Sequence, residues 1–210
     1  MNFQNYLFDL DGTLTDPGLG IKNSIRYALR SFGLEELSET TLDQFIGPPL
    51  LDSFCRYCHV SDEDSRRLLT LYREYFSVTG LFENTVYEGV MELLAELKDR
   101  GAKIFLATSK PEPYARQILE HFSLAPFFDF VGGSTMDETR TAKDEVIAYV
   151  MEQAGIGAFG SVMVGDRTYD VAGGKACGLF TVGALYGYGS REELKDADFL
   201  IERPAELLLL

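Results

Sequence analysis

The chain has 210 residues, 46% of them hydrophobic, and a formal net charge of −14 at pH 7. A chain of that length can bury a substantial core without disulfides or a structural metal, and the composition excludes a disordered protein. The excess of acidic residues argues against a nucleic-acid partner, because binding a phosphate backbone requires a basic surface.

Membrane insertion and export are not expected from the sequence. No apolar run approaches the ~20 residues that cross a bilayer, and the stretch Met1 to Asn5 lacks the basic start and cleavage site of a signal peptide. The three cysteines, Cys55, Cys58 and Cys177, fit a reducing compartment better than a disulfide framework. We therefore expect a cytoplasmic protein with no membrane partner. The sequence gives no indication of its oligomeric state.

Short β-branched or aromatic runs predict six strands. They are Tyr6 to Phe8, Lys103 to Ala107, Phe128 to Val131, Ser161 to Val164, Leu179 to Val182 and Phe199 to Ile201. Several are apolar throughout, as is typical of strands that are covered on both faces. Helical patterns lie between them, and alternating strands and helices indicate a mostly parallel α/β sheet.

Apolar residues spaced three and four apart predict the intervening helices. The apolar faces are Val90, Leu93, Leu94 and Leu97; then Tyr114, Ile118, Leu119 and Phe122; then Val146, Ile147, Val150 and Met151. Gly101 and Gly155 are expected to end the first and the third of these helices.

The region from about Pro17 to Leu81 breaks this alternation, because it contains helical patterns and no convincing strand. The patterns are Ile25, Leu29 and Phe32, followed by Leu68, Leu69, Tyr72 and Tyr75. The stretch Ile46 to Leu50 is interpreted as a turn. We predict a helical insert between the first strand and the rest of the sheet.

Aspartates follow two of the predicted strands directly. Asp9 and Asp11 come after Tyr6 to Phe8, and Asp166 comes after the strand that begins at Ser161. In open parallel sheets the ligand crevice lies at the carboxyl ends of the strands, so these side chains can converge there. Converging carboxylates stay ionised only beside a cation, and hard oxygen ligands favour Mg²⁺.

The spacing of Asp9 and Asp11 places both carboxylates on one side of an extended segment. One can then attack phosphorus while the other transfers a proton. Gly12 and Thr13 are expected to turn the chain sharply and direct their backbone N–H groups toward an anion.

Four ordered motifs resemble those of the haloacid dehalogenase-like hydrolase superfamily. The run from Asp9 to Asp16 resembles its first motif, and Thr108-Ser109-Lys110-Pro111 is similar to the second motif of phosphoglycolate phosphatase-like members. Lys143 resembles the lysine of the third motif, and Gly165 to Asp170 resembles the acidic fourth motif. The resemblance covers the whole chain. It implies a Rossmann-like parallel sheet core at residues 1–16 and 82–210, with an α-helical cap domain at residues 17–81.

The resemblance also implies roles for individual residues. Asp9 would attack phosphorus to form an aspartyl-phosphate, and Asp11 would protonate the leaving oxygen and then activate water. Thr108 and Lys143 would hold the phosphoryl oxygens. Mg²⁺ would be held by the Asp9 carboxylate, the Asp11 backbone carbonyl and Asp166, with Asp170 acting through water. Gly12 and Ser109 complete the expected binding residues of the core, and Lys22 and Gly47 are those expected in the cap.

These observations predict a Mg²⁺-dependent phosphatase that acts on a small phosphorylated metabolite. Phosphoglycolate, nucleoside monophosphates and pyrophosphate all stay open as substrates. A dehalogenase is disfavoured because Asp11 is present, and a sugar phosphomutase is disfavoured because the run Ile21 to Arg26 has no histidine. A non-catalytic module is disfavoured because no motif residue is missing.

Several residues carry a second, structural interpretation. Thr108 is also expected to cap the following helix, and Asp170 to complement a helix dipole. Lys110 and Arg167 are either neighbours of the substrate or exposed. Gly173 and Gly174 are expected to permit close helix packing. The run Cys55 to His59 matches the string for haem attachment, but it lies in a helical pattern, and neither haem nor zinc is expected.

Overall fold

A computed structural model describes residues 3–137 and 139–210. The chain forms two compact units. One contains the chain up to Thr15 together with Val86–Leu210, and the other is Asp16–Thr85. Within the described ranges, no helix has the length and apolar character needed to span a membrane.

The first unit contains a six-stranded, entirely parallel sheet, so the predicted α/β fold class is confirmed. Its strands are β1 (Asn5–Phe8), β4 (Lys103–Pro111), β5 (Phe130–Ser134), β6 (Ser161–Gly165), β7 (Phe180–Ala184) and β8 (Phe199–Ile201), in the order β5-β4-β1-β6-β7-β8. All six predicted strands are present. β4 continues four residues beyond its predicted end at Ala107.

The central position of β1 brings the chemically important residues to one edge of the sheet. Phe8 is in register with Leu106 of β4 on one side and with Val164 of β6 on the other. Because the three strands are parallel, Asp9, Thr108 and Asp166 all lie just past this line of paired residues. The carboxyl edge of β1, β4 and β6 is therefore the place to look for a site.

Four helices cover the sheet. They are α5 (Val90–Asp99), α6 (Glu112–His121), α7 (Lys143–Ala154) and α8 (Thr168–Ala176). The face predicted on α7 packs onto the sheet, where Val146, Ile147 and Val150 form a buried cluster with residues of β1, β4 and β6. α7 ends at Gly155, which has a φ of 64° as in a left-handed cap. Phe122 follows the last residue of α6 instead of lying within it. Short 3₁₀ helices occur at Ala125–Phe127 and Pro204–Leu209.

The second unit is helical, as predicted. It contains α1 (Gly18–Phe32), α2 (Glu39–Asp43), α3 (Leu50–Cys58), α4 (Asp62–Tyr75) and a π-helix at Phe76–Gly80. Ser61 starts α4 by accepting a hydrogen bond from the Asp64 N–H. The chain passes between the units through two short strands, β2 (Thr15–Asp16) and β3 (Thr85–Val86), which pair with each other. Cys55 and Cys58 lie in α3, and His59 follows it in the left-handed conformation.

Candidate active site

Asp9 lies beside a buried lysine at the end of β1. Lys143 is the first residue of α7, and its Nζ is 2.8 Å from Asp9 Oδ1 and 2.8 Å from Asp170 Oδ1. The same amine donates to the Ala107 carbonyl in β4 at 3.2 Å. All three charged residues are buried. The sequence thus supplies the local positive charge that a phosphate site needs in an acidic protein.

Asp9, Asp166 and Asp170 form an acidic cluster in which one carboxylate oxygen of each lies within 4.8 Å of the others. The buried Oδ1 atoms of Asp9 and Asp170 accept no hydrogen bond from the described residues, although both are close to the Lys143 ammonium. Three carboxylates against one lysine leave two negative charges uncompensated. Hard oxygen donors with this charge suit a divalent cation such as Mg²⁺.

Burial raises the pKa of two of these carboxyl groups. The pKa of Asp166 is well above its usual range, because burial and then the charges of Asp170 and Asp9 disfavour ionisation. Burial raises the pKa of Asp170 to about 6, and Lys143 opposes that shift. For Lys143, burial alone would lower the pKa, but the charges of Asp170 and Asp9 outweigh it and raise the pKa. Without a cation, this cluster therefore tends to hold protons.

Asp166 is held by the turn that follows β1 and by the backbone of Tyr188, which follows β7. Its Oδ1 accepts a 3.3 Å hydrogen bond from the Thr13 hydroxyl, and its Oδ2 accepts a 2.8 Å hydrogen bond from the Tyr188 N–H. Gly12 has a φ of 84°, and a Cβ there would overlap the Asp166 carboxylate. Gly12 is therefore required by the close approach of Asp166.

The expectation that Gly12 and Thr13 direct their N–H groups at an anion is wrong. The Gly12 N–H donates to the Thr15 carbonyl at 2.8 Å, and the Thr13 N–H donates to the Leu10 carbonyl at 3.3 Å. Leu14 and Thr15 also donate to the Leu10 carbonyl. The turn uses these donors for its own closure.

Asp11 is paired with Lys110, whose Nζ lies 2.8 Å from Asp11 Oδ2. The side chains are 5% and 15% exposed for Lys110 and Asp11 respectively, so the alternative of an exposed Lys110 is wrong. Burial raises the pKa of Asp11, and the Lys110 charge opposes that rise. The missed signal was the length of β4. Because the strand continues to Pro111, Lys110 lies within the sheet and not in an exposed loop.

Thr108 is almost fully buried, but it does not cap the next helix as expected. Its hydroxyl accepts a 3.2 Å hydrogen bond from the Lys110 N–H inside β4. α6 begins only at Glu112, and Pro111 precedes it without a side-chain capping bond. Ser109 is half-buried in the same strand.

Asp170 lies in the first turn of α8, where it complements the helix dipole as expected, and it also joins the acidic cluster. Its Oδ2 accepts a 3.0 Å hydrogen bond from the Arg167 N–H at the start of α8. Arg167 itself pairs with Glu193 at 2.8 Å and is only partly exposed. Gly173 and Gly174 do permit close packing of α8. A Cβ at Gly173 would lie 3.0 Å from the Lys143 side chain, and one at Gly174 would lie 2.7 Å from Thr181 Cγ2.

The two residues predicted to bind substrate from the cap belong to the helical unit. The Lys22 ammonium is 2.5 Å from Asp43 Oδ1 and 3.5 Å from Glu39 Oε2, so its charge is compensated within that unit. Gly47 is exposed, with a φ of 105° in the turn between α2 and α3. Their roles toward a substrate stay predictions.

The sequence model of the haloacid dehalogenase-like hydrolase family matches residues 6–184, which include all four motifs. The chain belongs to this family. It is 42% identical over 195 residues to a 5'-nucleotidase of Pseudomonas aeruginosa, which covers 93% of the chain and 88% of the relative.

The chain is also similar to a protein described as a tyrosine kinase and to a crystal structure described as a phosphatase. The chain is 37% identical over 186 residues to the tyrosine-protein kinase PtkA of Mycobacterium tuberculosis, covering 89% of the chain and 63% of that protein. A crystal structure described as a predicted phosphatase from Clostridium acetobutylicum superposes with a TM-score of 0.94. It is 41% identical, and the match covers 100% of both chains. Together with the family, the similarities to the 5'-nucleotidase and to the crystal structure described as a predicted phosphatase make the protein a haloacid dehalogenase-like phosphatase.

Proposed function

We propose that this phosphatase hydrolyses a small-molecule phosphate monoester with Asp9 as nucleophile and with a divalent cation, preferably Mg²⁺, as cofactor. The arrangement around Asp9 carries the proposal. Its carboxylate belongs to an acidic cluster, and a buried lysine lies 2.8 Å away. An anionic nucleophile approaches an anionic phosphate only where positive charge offsets the repulsion.

Each buried residue has a distinct task in this reaction. Asp9 attacks phosphorus and becomes an aspartyl-phosphate, while Asp11 gives a proton to the departing oxygen. Asp11 then takes a proton from the water that opens the aspartyl-phosphate. The Thr108 hydroxyl and the Lys143 ammonium bind phosphoryl oxygens. A cation held by Asp9, Asp166 and Asp170 would supply further positive charge for the transferred group.

The first candidate for the substrate class is a nucleoside 5'-monophosphate. It is supported by the 5'-nucleotidase of P. aeruginosa, which is 42% identical and matches nearly the whole chain. The second candidate is phosphoglycolate, because Thr108 to Pro111 resembles the second motif of phosphoglycolate phosphatase-like enzymes. Both are small phosphate monoesters, so they share the chemistry at Asp9 and differ in the leaving alcohol.

The nucleophile is tested with Asp9→Asn, assayed with an aryl phosphate and Mg²⁺. We expect no measurable turnover, since an amide is a poor nucleophile and a poorer ligand for a hard cation. Asp144→Asn is the matched control, because Asp144 is exposed and follows the active-site Lys143 directly. It should retain full activity. Near-normal turnover by Asp9→Asn would refute the mechanism.

The substrate class is tested by measuring kcat/KM for nucleoside 5'-monophosphates, phosphoglycolate and pyrophosphate under one set of conditions. A preference for the nucleotides of at least about tenfold, or ~1.4 kcal/mol in transition-state stabilisation, would support the first candidate. A preference of the same size for phosphoglycolate would support the second candidate. Activity only on pyrophosphate would contradict both.

A further inference from the structure

The loop at Tyr186–Gly189, which follows β7, lies directly against Asp166. We propose that this 186–189 loop is a positioning element that sets the Asp166 carboxylate for the cation. The inference rests on the proposed function, because it assumes that Asp166 is a cation ligand. None of the four sequence motifs includes the loop, and its residues are not expected to touch the substrate or the cation.

Both carboxylate oxygens of Asp166 are held by hydrogen bonds. The Tyr188 N–H donates to Oδ2 at 2.8 Å, and the Thr13 hydroxyl donates to Oδ1 at 3.3 Å. Each carboxylate oxygen can accept a second contact, so these bonds still leave capacity for a cation. They fix the plane of the carboxylate. Residues that orient a ligand in this way commonly matter to metal affinity almost as much as the ligand does.

Two glycines of the 186–189 loop pack closely against Asp166. A Cβ at Gly187 would overlap the Gly12 carbonyl oxygen and the Asp166 side chain, and a Cβ at Gly189 would overlap the Asp166 carbonyl oxygen. Neither glycine has a positive φ. Space, and not backbone conformation, therefore requires glycine at both positions. Any side chain at 187 would push the loop away from Asp166 and lengthen the bond from the Tyr188 N–H.

Tyr186 connects the 186–189 loop to the turn after β1. Its hydroxyl donates to the Thr13 carbonyl at 3.1 Å, and Thr13 in turn donates its own hydroxyl to Asp166. The Tyr87 ring packs edge-on against the Tyr186 ring, with 5.3 Å between centroids. Burial raises the pKa of Tyr186, so the phenol stays protonated and remains a donor. Both hydrogen bonds to Asp166 therefore depend on this loop, one directly and the other through Thr13.

The test measures binding of Mn²⁺ to the full chain by electron paramagnetic resonance, without substrate. Gly187→Ala should weaken Mn²⁺ binding by about tenfold, within the usual cost of losing a residue that orients a ligand. Tyr186→Phe, which removes only the hydroxyl, should weaken binding less, but in the same direction. Gly157→Ala is the matched control, because a Cβ there meets no atom within 4 Å. Its affinity should equal that of the wild type.

Steady-state kinetics distinguish a loss of Asp166 positioning from general damage to the active site. If the loop only positions Asp166, the Mg²⁺ concentration for half-maximal activity should rise, while kcat at saturating Mg²⁺ should approach the wild-type value. Wild-type Mn²⁺ affinity in both folded variants would overturn the role of the loop and leave the cation site standing. If Gly187→Ala did not fold, Tyr186→Phe alone would decide the question. A wild-type protein that bound no Mn²⁺ would overturn the cation site and this inference together.

Discussion

Lys110 is a buried cation whose ammonium contacts Asp11, the residue proposed to transfer protons. Lys110→Met removes this charge and keeps much of the side-chain volume. Without the Lys110 charge, the neutral form of Asp11 is favoured even when Asp11 has to accept a proton from water, and its orientation is no longer fixed. We expect kcat for an alkyl phosphate to fall by about 100-fold, the lower end of what general acid–base catalysis contributes.

Lys98→Met is the matched control for this variant. Lys98 Nζ lies 2.9 Å from Asp129 Oδ2, but about a third of each side chain is exposed, and such pairs contribute little. Its kcat should not change. If Lys110→Met were as active as Lys98→Met, the ion pair with Asp11 would have no part in catalysis.

Asp11→Asn tests the proton transfer itself. With p-nitrophenyl phosphate the leaving group departs without a proton, so formation of the aspartyl-phosphate should be slowed less than with alkyl phosphates. Hydrolysis of that intermediate still needs a base. Rapid mixing should therefore show a burst of nitrophenol and little further turnover. Equal slowing of all substrates with no burst would assign Asp11 to electrostatics or site structure instead.

The sequence indicated residues of this site where their position follows directly from a strand end. Asp9 and Asp166 are of this kind, because parallel strands in register bring their following residues to one edge. Lys110 could not be placed in the same way, since its burial depends on how far β4 continues. The donors of Gly12 and Thr13 were misjudged because a tight turn can close on its own carbonyls.

At the scale of elements, strands buried on both faces were the most predictable. Their apolar runs are distinct from the helical periodicity around them, and all six are found in the sheet. The short strands Thr15–Asp16 and Thr85–Val86 have two residues each, too few for any periodicity. The π-helix at Phe76–Gly80 continues directly from α4, so its apolar pattern alone does not distinguish it from an α-helix.

The packing of α8 gives a prediction at this scale. A Cβ at Gly174 would lie 2.7 Å from Thr181 Cγ2 and 3.0 Å from Met163 Cβ, both in the sheet. Gly174→Ala should therefore destabilise the protein by about 1–3 kcal/mol through overpacking. The higher helix propensity of alanine, about 1 kcal/mol, opposes this cost, so the expected net loss is about 0–2 kcal/mol. Urea unfolding gives the net value.

Gly157→Ala again provides the reference, because it adds a methyl group where no atom lies within 4 Å. Its free energy of unfolding should stay within about 0.5 kcal/mol of the wild type. Gly174→Ala with higher stability than the wild type would mean that α8 moves readily away from the sheet. The start of α8, which carries Asp170, would then be less firmly held than its packing implies.

At the scale of the whole molecule, a net charge of −14 has to coexist with a buried acidic site. Long-range repulsion from the acidic surface disfavours the approach of an anionic substrate. It also disfavours ionised carboxylates in the interior. The single charge of Lys143 balances only part of the charge of the cluster formed by Asp9, Asp166 and Asp170. Binding of a divalent cation should therefore stabilise the fold as well as support the reaction.

Stabilisation by Mg²⁺ should depend on pH in a direction that follows from the raised pKa values. Asp166 and Asp170 bind protons more tightly in the folded, cation-free protein than in the unfolded chain, so ionising them as pH rises costs stability. Mg²⁺ binds the ionised groups and removes that cost. At pH 5, below the pKa of about 6 for Asp170, protons compete with the cation. At pH 8 this competition is weaker, because Asp170 then loses its proton readily.

We therefore expect Mg²⁺ to raise the melting temperature more at pH 8 than at pH 5. At a concentration of 100 times Kd the gain is ~2.7 kcal/mol, or roughly 5–10 °C for a chain of this size. Other carboxylates, such as Asp129 and Asp198, have lowered pKa values. They affect the stability equally with and without Mg²⁺, so their contribution to the shift in melting temperature cancels. Asp166→Asn should lose most of the shift at both pH values. A shift of equal size at pH 5 and pH 8, retained in Asp166→Asn, would mean that Mg²⁺ stabilises the protein at another place.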